Sequence, residues 1–414
     1  MRKLIASFLI LSVSILSAYS VLTLWKGVHL YLDNPSRERL LKALRFTPSN
    51  PNLFYRLALY YQWNMEAVDL KVSLHYLGKA IERNPLEQSY WLSLAKVLNK
   101  MGDGKASEQA LEKAALVFPT GYTGRWTTAN LLLQQGTLER ALPHFSYILA
   151  HFPEQRRLVY EVLLKAVQDQ DVILGKIVPG DLEALNHYLN YLYETGDKET
   201  AVKAWAKKVS LGFPGERKEA LRHIDFLISR NALSEAFQVW KARLKEEGLP
   251  LPSENNLVTN GGFEKEKILG GGFDWRMAPV QGASMSFDPS VVFEGKQSLK
   301  ISFDGKDNID FHHLHQVVPW KSDKDYLLKV HMKTKEVTTK SGIKIEVIGI
   351  GPALQASSES LIGDHGWKEL TLAFHTPPQS QGGIIRVRRE RTDKFDRFLS
   401  GTVWLDDIQL IQAQ

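Results

Sequence analysis

Four prolines, Pro51, Pro85, Pro119 and Pro153, stand 34 residues apart. Ala95 and Ala129 keep the same interval, and so do Gly102 and Gly136. An interval shared by three residue types restricts the chain to a repeat architecture, in which each unit is one supersecondary element. Within an interval the apolar residues recur at helical spacing: after Pro85, Trp91, Leu94, Ala95 and Leu98 form one stripe. Gly102 ends that helix, because glycine accepts the left-handed conformation that closes it. Leu111 and Ala114 mark the inner face of a second helix. Pro119 stops it, since proline cannot continue a helix but can begin the next. Each interval therefore predicts a helical hairpin, and the small Ala95 lets its two helices approach closely.

The next unit repeats the scheme with Ala129, Leu132, Gly136, Ala141, Phe145 and Ile148; the preceding one does so with Phe54, Leu57, Ala58, Tyr61, Leu77 and Ala80. The preceding unit fits only with about three extra residues in its turn, near 63–68. Past Pro153 the period weakens, and 154–179 supply one helix and an irregular connection. Leu185, Leu189, Leu192, Gly196, Ala201 and Trp205 restart it, and Ala236 and Trp240 mark a last hairpin. Residues 36–50 read as a lone helix ahead of the first full unit. A hairpin leaves an apolar face that only its neighbours can cover, so the units stack into a solenoid over 36–248. The order large, Leu-small, aromatic, turn glycine, small, aromatic, small, proline resembles the tetratricopeptide repeat over 51–153. That resemblance implies a concave groove, lined by the first helix of each repeat, which takes a peptide or helix of a partner protein. Carried over by position, its residues are Tyr55, Gln62, Trp63, Lys96, Asn99, Lys100, Trp126, Asn130 and Gln134. An aromatic at helical spacing can equally pack a core, and a lysine can merely keep a face solvated; the sequence leaves both uses open.

Arg2 and Lys3 precede an uncharged run over 4–25, closed by Lys26. About 20 apolar residues cross a bilayer as a helix, and Trp25 suits an interface. The basic tip predicts an N-terminus in the cytoplasm. Ala18-Tyr19-Ser20 also fits a signal-peptidase site. Residues 1–26 are thus either an inner-membrane anchor with the bulk periplasmic, or a cleaved segment that leaves a secreted or periplasmic chain.

Leu249-Pro250-Leu251-Pro252-Ser253 cannot be helical throughout and marks a linker over 249–254. Beyond it the apolar period falls to 2. Leu299, Ile301 and Phe303 alternate with polar residues, as do Ile343, Ile345 and Val347; Leu370, Leu372 and Phe374; Ile385 and Val387; and Val403 and Leu405. Short strands separated by turn residues predict an antiparallel sandwich. The expected fold class is therefore multidomain: an N-terminal transmembrane helix, an all-α solenoid and an all-β sandwich.

Four segments of that sandwich are distinctive: Asn256-Leu257-Val258-Thr259-Asn260-Gly261-Gly262-Phe263-Glu264, Gly295-Lys296-Gln297-Ser298-Leu299-Lys300-Ile301, Gly366-Trp367-Lys368, and Trp404-Leu405-Asp406-Asp407-Ile408. Their order and spacing resemble the jelly-roll carbohydrate-binding modules with a galactose-binding-like fold, across 255–412. The resemblance implies a structural Ca²⁺ near the domain's two ends, with Glu264 and Asp406 as ligands and backbone carbonyls completing the shell; hard oxygen donors suit that ion. Sugar binding would need aromatic platforms and planar polar groups on an open face, and the candidates are Trp275, Phe311, His312, Gln316, Arg386 and Arg388. Arg386 and Arg388 share a strand face and suit an acidic polysaccharide. Asp406 and Asp407 are adjacent on a strand, so they point apart and do not make a glycosidase pair. The same alternation sets Asp406 on a face with Trp404, Ile408 and Leu410. His313 and His315 share a face, but no carboxylate or cysteine is placed to complete a zinc site.

The charge of +6 is a net −1 after residue 250 and +7 before it. It lacks the dense basic stripe of a nucleic-acid binder. The absence of cysteine excludes thiolate metal sites and a cysteine nucleophile. No nucleophile elbow, phosphate loop or H-E-x-x-H helix occurs. The expectation is a non-catalytic, membrane-anchored scaffold. Its repeats bind a partner protein and its sandwich binds extracytoplasmic polysaccharide, as would suit exopolysaccharide assembly or export. The alternative is a purely protein-docking scaffold without sugar binding.

Overall fold

The computed structural model describes residues 2–30, 36–167, 169–253 and 255–413. Helix α1 (Arg2–His29) is followed by α2 (Arg37–Phe46). Three hairpins come next: α3 (Pro51–Trp63) with α4 (Leu70–Arg83), α5 (Gln88–Lys100) with α6 (Gly104–Val117), and α7 (Tyr122–Gln134) with α8 (Leu138–His151). Ala58, Ala95 and Ala129, the small residues expected where helices approach, are fully buried. In two hairpins the approach is also polar. Ser73 Oγ donates to the Ala58 carbonyl at 3.0 Å across 15 residues, and Ser107 Oγ to the Ala95 carbonyl at 2.9 Å across 12. The difference is the three-residue enlargement read from the sequence, and it falls in the turn before α4. Asp69 and Asp103 start α4 and α6 by accepting the N–H of Val72 and of Ala106. Gly102, at φ 85°, and Gly136, at φ 74°, end α5 and α7 in the left-handed region.

A 3₁₀ turn (Pro153–Gln155), α9 (Arg156–Ala166), a short turn α10 (Gln170–Val172) and a π turn (Ile173–Ile177) form the irregular stretch. Four helices complete the α part: α11 (Leu182–Thr195), α12 (Lys198–Ser210), α13 (Arg217–Ser229) and α14 (Leu233–Glu246). The chain divides into two compact units between Tyr188 and Leu189, within α11. The secondary structure changes at the linker over 249–254, but the packing does not, because α12–α14 belong to the same unit as the sandwich.

Among the described residues the sandwich has ten strands: β1 (Arg276–Met277), β2 (Ala283–Asp288), β3 (Ser298–Asp304), β4 (Leu314–Pro319), β5 (Asp325–Val337), β6 (Lys344–Gly349), β7 (Gln355–Ser357), β8 (Gly363–His375), β9 (Gly382–Arg388) and β10 (Ser400–Gln412). They form two antiparallel sheets, β1-β4-β9-β6-β7 and β2-β3-β10-β5-β8. Leu299, Ile301, Ile345, Val347, Ile385, Val387, Val403 and Leu405 meet between them in one core. A second core joins the last hairpin to the first sheet. Trp240 of α14, fully buried, packs with Ile224, Leu227, Leu269, Phe273 and Val317. This contact explains Gly272. A Cβ at Gly272 would lie 3.0 Å from both Ile224 Cγ2 and Trp240 Cε3, and its φ of 60° is one that glycine accepts readily. Arg276 on β1 completes the junction, its Nη2 lying 2.6 Å from Asp225 Oδ1 on α13.

Candidate binding sites

Three successive first helices bring six of the expected groove residues together. Trp63 ends α3, Lys96 and Lys100 lie one turn apart on α5, and Trp126, Asn130 and Gln134 follow at four-residue steps on α7. With Thr127 and Leu131 they line a cleft of about 230 Å³ that contains no carboxylate. Lys100 Nζ stands 4.0 Å from the centre of the Trp63 ring, which is 60 % exposed. Burial, and next the charge of Lys100, hold the Lys96 ammonium below the usual lysine range. The other three expected residues are used structurally. Gln62 is buried and donates to Ser73 Oγ at 3.1 Å. Tyr55 packs on Tyr90 and accepts from Ser93 Oγ. Asn99 braces the rim, donating to Gln134 at 3.1 Å and accepting from Gln135 at 2.9 Å.

The sugar-binding candidates fare differently. Trp275 and Phe311 are buried in the sandwich core, Trp275 against Phe263 and Phe311 against Phe303. Gln316 is fully buried, and its amide pairs both ways with the backbone of Thr259, at 2.9 and 2.7 Å. It staples the segment before β1 to β4. These three are therefore core and staple residues and present no open platform. His312 is exposed, with its ring stacked on His313. Arg386 and Arg388 do share the outer face of β9, but both are engaged. Arg386 Nη2 lies 2.6 Å from Glu346 Oε2, a carboxylate with 1 % of its side chain exposed, and Arg388 pairs with Asp310. Gln355 donates to the other Glu346 oxygen. Arg386→Ala is expected to destabilise the protein by about 2 kcal/mol, because a hydrogen bond to a buried charge is lost; urea denaturation measures it. A partly exposed aromatic pair carries no period that marks it in the sequence. Phe293 is 42 % exposed, stacks on His331 at 3.7 Å and meets the edge of Trp367 at 5.8 Å.

At the sandwich's ends, Asp406 and Glu264 approach one another. Asp406 is fully buried, yet it lies on the outer side of its sheet: it stands opposite His331, as Trp404 stands opposite Lys333. The face shared with Ile408 and Leu410 that alternation predicts is broken by a bulge. Asp407 adopts φ 45°, the register shifts between Asp406 and Gln409, and Leu410 returns to the core opposite Leu328. Asp406 Oδ2 accepts the N–H groups of Phe293 and Glu294, and Oδ1 that of Asp407. Glu264 Oε1 accepts the Lys296 N–H at 2.9 Å. A Cβ at Gly262 would fall 3.7 Å from Asp406 Oδ1 and 3.8 Å from Glu264 Cγ, so Gly262 borders both carboxyls. Burial, despite the three N–H bonds and aided by the charge of Glu264, pushes the Asp406 carboxyl above the ordinary range. A hard cation here would take its first oxygens from two carboxylates that already accept four backbone N–H groups. Among the described residues no group of three His, Cys, Asp or Glu side chains is placed to hold a metal, so backbone carbonyls would have to complete such a shell.

No protein-family model matches the sequence, and no curated protein matches it. Solved structures match in part. A family 16 carbohydrate-binding module shares 19 % identity, covering 38 % of this chain and 99 % of its own, at a TM-score of 0.28. A structure titled "CBM4 structure and function" shares 15 % identity over 38 % of this chain and 99 % of its own, at 0.29. PilW, a type IV pilus biogenesis factor, shares 15 % identity over 48 % of this chain and 93 % of its own, at 0.26. These likenesses concern the fold of one part of the chain each.

Proposed function

We propose that this protein is a membrane-anchored scaffold that works by binding: its repeat cleft takes a segment of a partner protein and its sandwich contacts glycan. The observation that carries the first half is the meeting of Trp63, Lys96, Lys100, Trp126, Asn130 and Gln134 around one cleft. Exposed aromatic and amide groups on rigid helices are what a binding surface needs, because they add contact area at little cost in order. Trp63→Ala tests it cleanly, since the ring is largely exposed and its removal should leave thermal unfolding unchanged. A photo-crosslinker at position 130 should capture a partner in cells, and Trp63→Ala should reduce capture about ten-fold or more. Equal capture by the variant would sink the assignment.

For the glycan half, one aromatic surface is Phe293 with Trp367, whereas Trp275 and Phe311 are spent in the core. Exopolysaccharide assembly or export is the process such a pairing would serve. Saturable binding of the full chain to a bacterial polysaccharide, lost in Phe293→Ala, is the expected result. A specific observation favours the docking-only alternative: the last hairpin already covers part of the first sheet's outer face through Trp240, Val317 and Ile384. Absence of binding to neutral and acidic polysaccharides alike would establish that alternative.

Ser7–His29 is long and apolar enough to cross a membrane. Retention of this helix is supported by its far end, where Gly27 is buried against Thr47 and Leu30 packs on Leu40, Ala43, Leu53 and Leu57. The basic tip, Arg2 and Lys3, favours the periplasmic orientation. The opposite orientation is favoured by flank charge: five Lys or Arg (Lys26, Arg37, Arg39, Lys42 and Arg45) follow the run and two precede it. A C-terminal alkaline phosphatase fusion, active only outside the cytoplasm, decides between them.

A further inference from the structure

The first compact unit sets a basic helix at the foot of the apolar one. α2 carries Arg37, Arg39, Lys42 and Arg45 against a single acid, Glu38. All five side chains are exposed, whereas Leu40 and Ala43 of the same helix are buried. None of the four cations forms an ion pair among the described residues; Arg37 merely stands over the Tyr61 ring at 5.9 Å. The buried side fixes α2 to the solenoid through Leu53 and Leu57. Its C-terminal end is fixed to α1. Thr47, which caps α2, lies so close to Gly27 that a Cβ there would be 2.6 Å from its methyl carbon. Gly27 follows Lys26 directly, where the uncharged run ends. The basic side of α2 is thus held next to the point where the apolar helix would leave a bilayer, facing away from the protein.

We infer that α2 is a membrane-surface helix whose Arg37, Arg39, Lys42 and Arg45 engage anionic phospholipid headgroups and seat the solenoid against the bilayer. The inference rests on the reading of α1 as a retained span. Lipid is the occupant on two grounds. The first is continuity: Trp25 and Lys26 suit the interface, and α2 is anchored one residue beyond them. The second is charge: each Lys or Arg close to an anionic membrane surface favours contact about five-fold, and here four form no ion pair among the described residues. Contact of this kind must be salt-sensitive, because it acts within a Debye length.

The full chain, reconstituted into nanodiscs of phosphatidylcholine alone or mixed with phosphatidylglycerol, provides the test. A water-soluble amine-acylating reagent is applied and labelling of Lys42 is quantified by mass spectrometry against Lys165, an exposed residue of the same unit. Phosphatidylglycerol should slow Lys42 labelling about ten-fold, and about 1 M salt should restore it. The variant R37Q/R39Q/R45Q should restore it too; these side chains are exposed, so the fold should survive. Equal labelling in the two lipids, or protection insensitive to salt and to the variant, overturns the inference. A chain that fails to co-elute with discs of either composition overturns the retained span itself, and that failure is seen before any labelling.

Discussion

Trp240→Ala should cost about 3–5 kcal/mol of stability, the range for removing a large buried aromatic, and the damage should reach the β-sandwich as well as the helices. The ring is fully buried, lies 6.0 Å from the Phe273 ring and shares a core with Ile224 and Leu227 on one side and Val317 on the other. Phe273 and Val317 belong to the sandwich, so a cavity at this point opens both structures. Trp240 Nε1 is buried without a hydrogen-bond partner among the described residues. Trp240→Phe should therefore be much milder, since it keeps an aromatic ring and removes an unsatisfied donor. Urea denaturation gives the total loss, and hydrogen exchange gives its location. Faster exchange in β4 and β9 together with α13 and α14 is expected in Trp240→Ala. Faster exchange in the helices alone would mean that the two cores are separable. A fragment beginning at residue 251 would strip Phe273 and Val317 of their cover; one beginning near residue 197 retains it.

What the sequence made legible was whatever depends on period. Proline and glycine at a fixed interval located hairpins α3–α4, α5–α6 and α7–α8, because helix ends need those residues wherever they occur. Period-2 alternation located the inward sides of β3, β6, β9 and β10. The same logic applies to β5, where Tyr326, Leu328, Val330 and Met332 are buried in alternation. Period could not reveal what depends on long-range packing. Trp275 and Phe311 looked like platforms because an aromatic between polar residues reads the same whether it turns to solvent or to a core. Gln316 looked like a sugar ligand because a planar amide that staples backbone is chemically the same group. The cleft was more legible than the expected sugar-binding face for a related reason. Helix positions transfer by spacing, so Lys96, Lys100, Trp126 and Asn130 had to come near one another once the hairpins stacked. Gln62 fell elsewhere because its amide meets Ser73 on the partner helix of its own hairpin. The bulge at Asp407 broke alternation on β10, and with it the expected face of Asp406.

Asp406 supplies the second large effect. Asp406→Ala would leave the N–H groups of Phe293, Glu294 and Asp407 without their acceptor. With a buried donor costing about 1–3 kcal/mol when orphaned, the expected loss is about 3 kcal/mol or more. Calcium should add stability to the unaltered chain, about 2.7 kcal/mol at roughly a hundred-fold excess over its dissociation constant, and nothing to the variant. The pH dependence separates this from nonspecific salt effects. Burial and the charge of Glu264 raise the Asp406 carboxyl. A carboxyl raised on folding contributes stability that is fully present below its unfolded pKa and is lost as pH rises through its folded one. Asp288 has the opposite sign: hydrogen bonds from Ser290 and Trp404 hold it at about 2, so its contribution is present above its ordinary pKa and lost on acidification toward about 2. A cation bound at Asp406 would favour its carboxylate, so protons and calcium would compete there. The calcium-induced rise in Tm, measured against chelator, should therefore be small near about pH 4, where carboxyls ordinarily titrate, and should grow as Asp406 ionises. A calcium effect that is flat with pH, or that survives in Asp406→Asn, would remove Asp406 from the ion's shell and leave the three N–H bonds as its whole purpose.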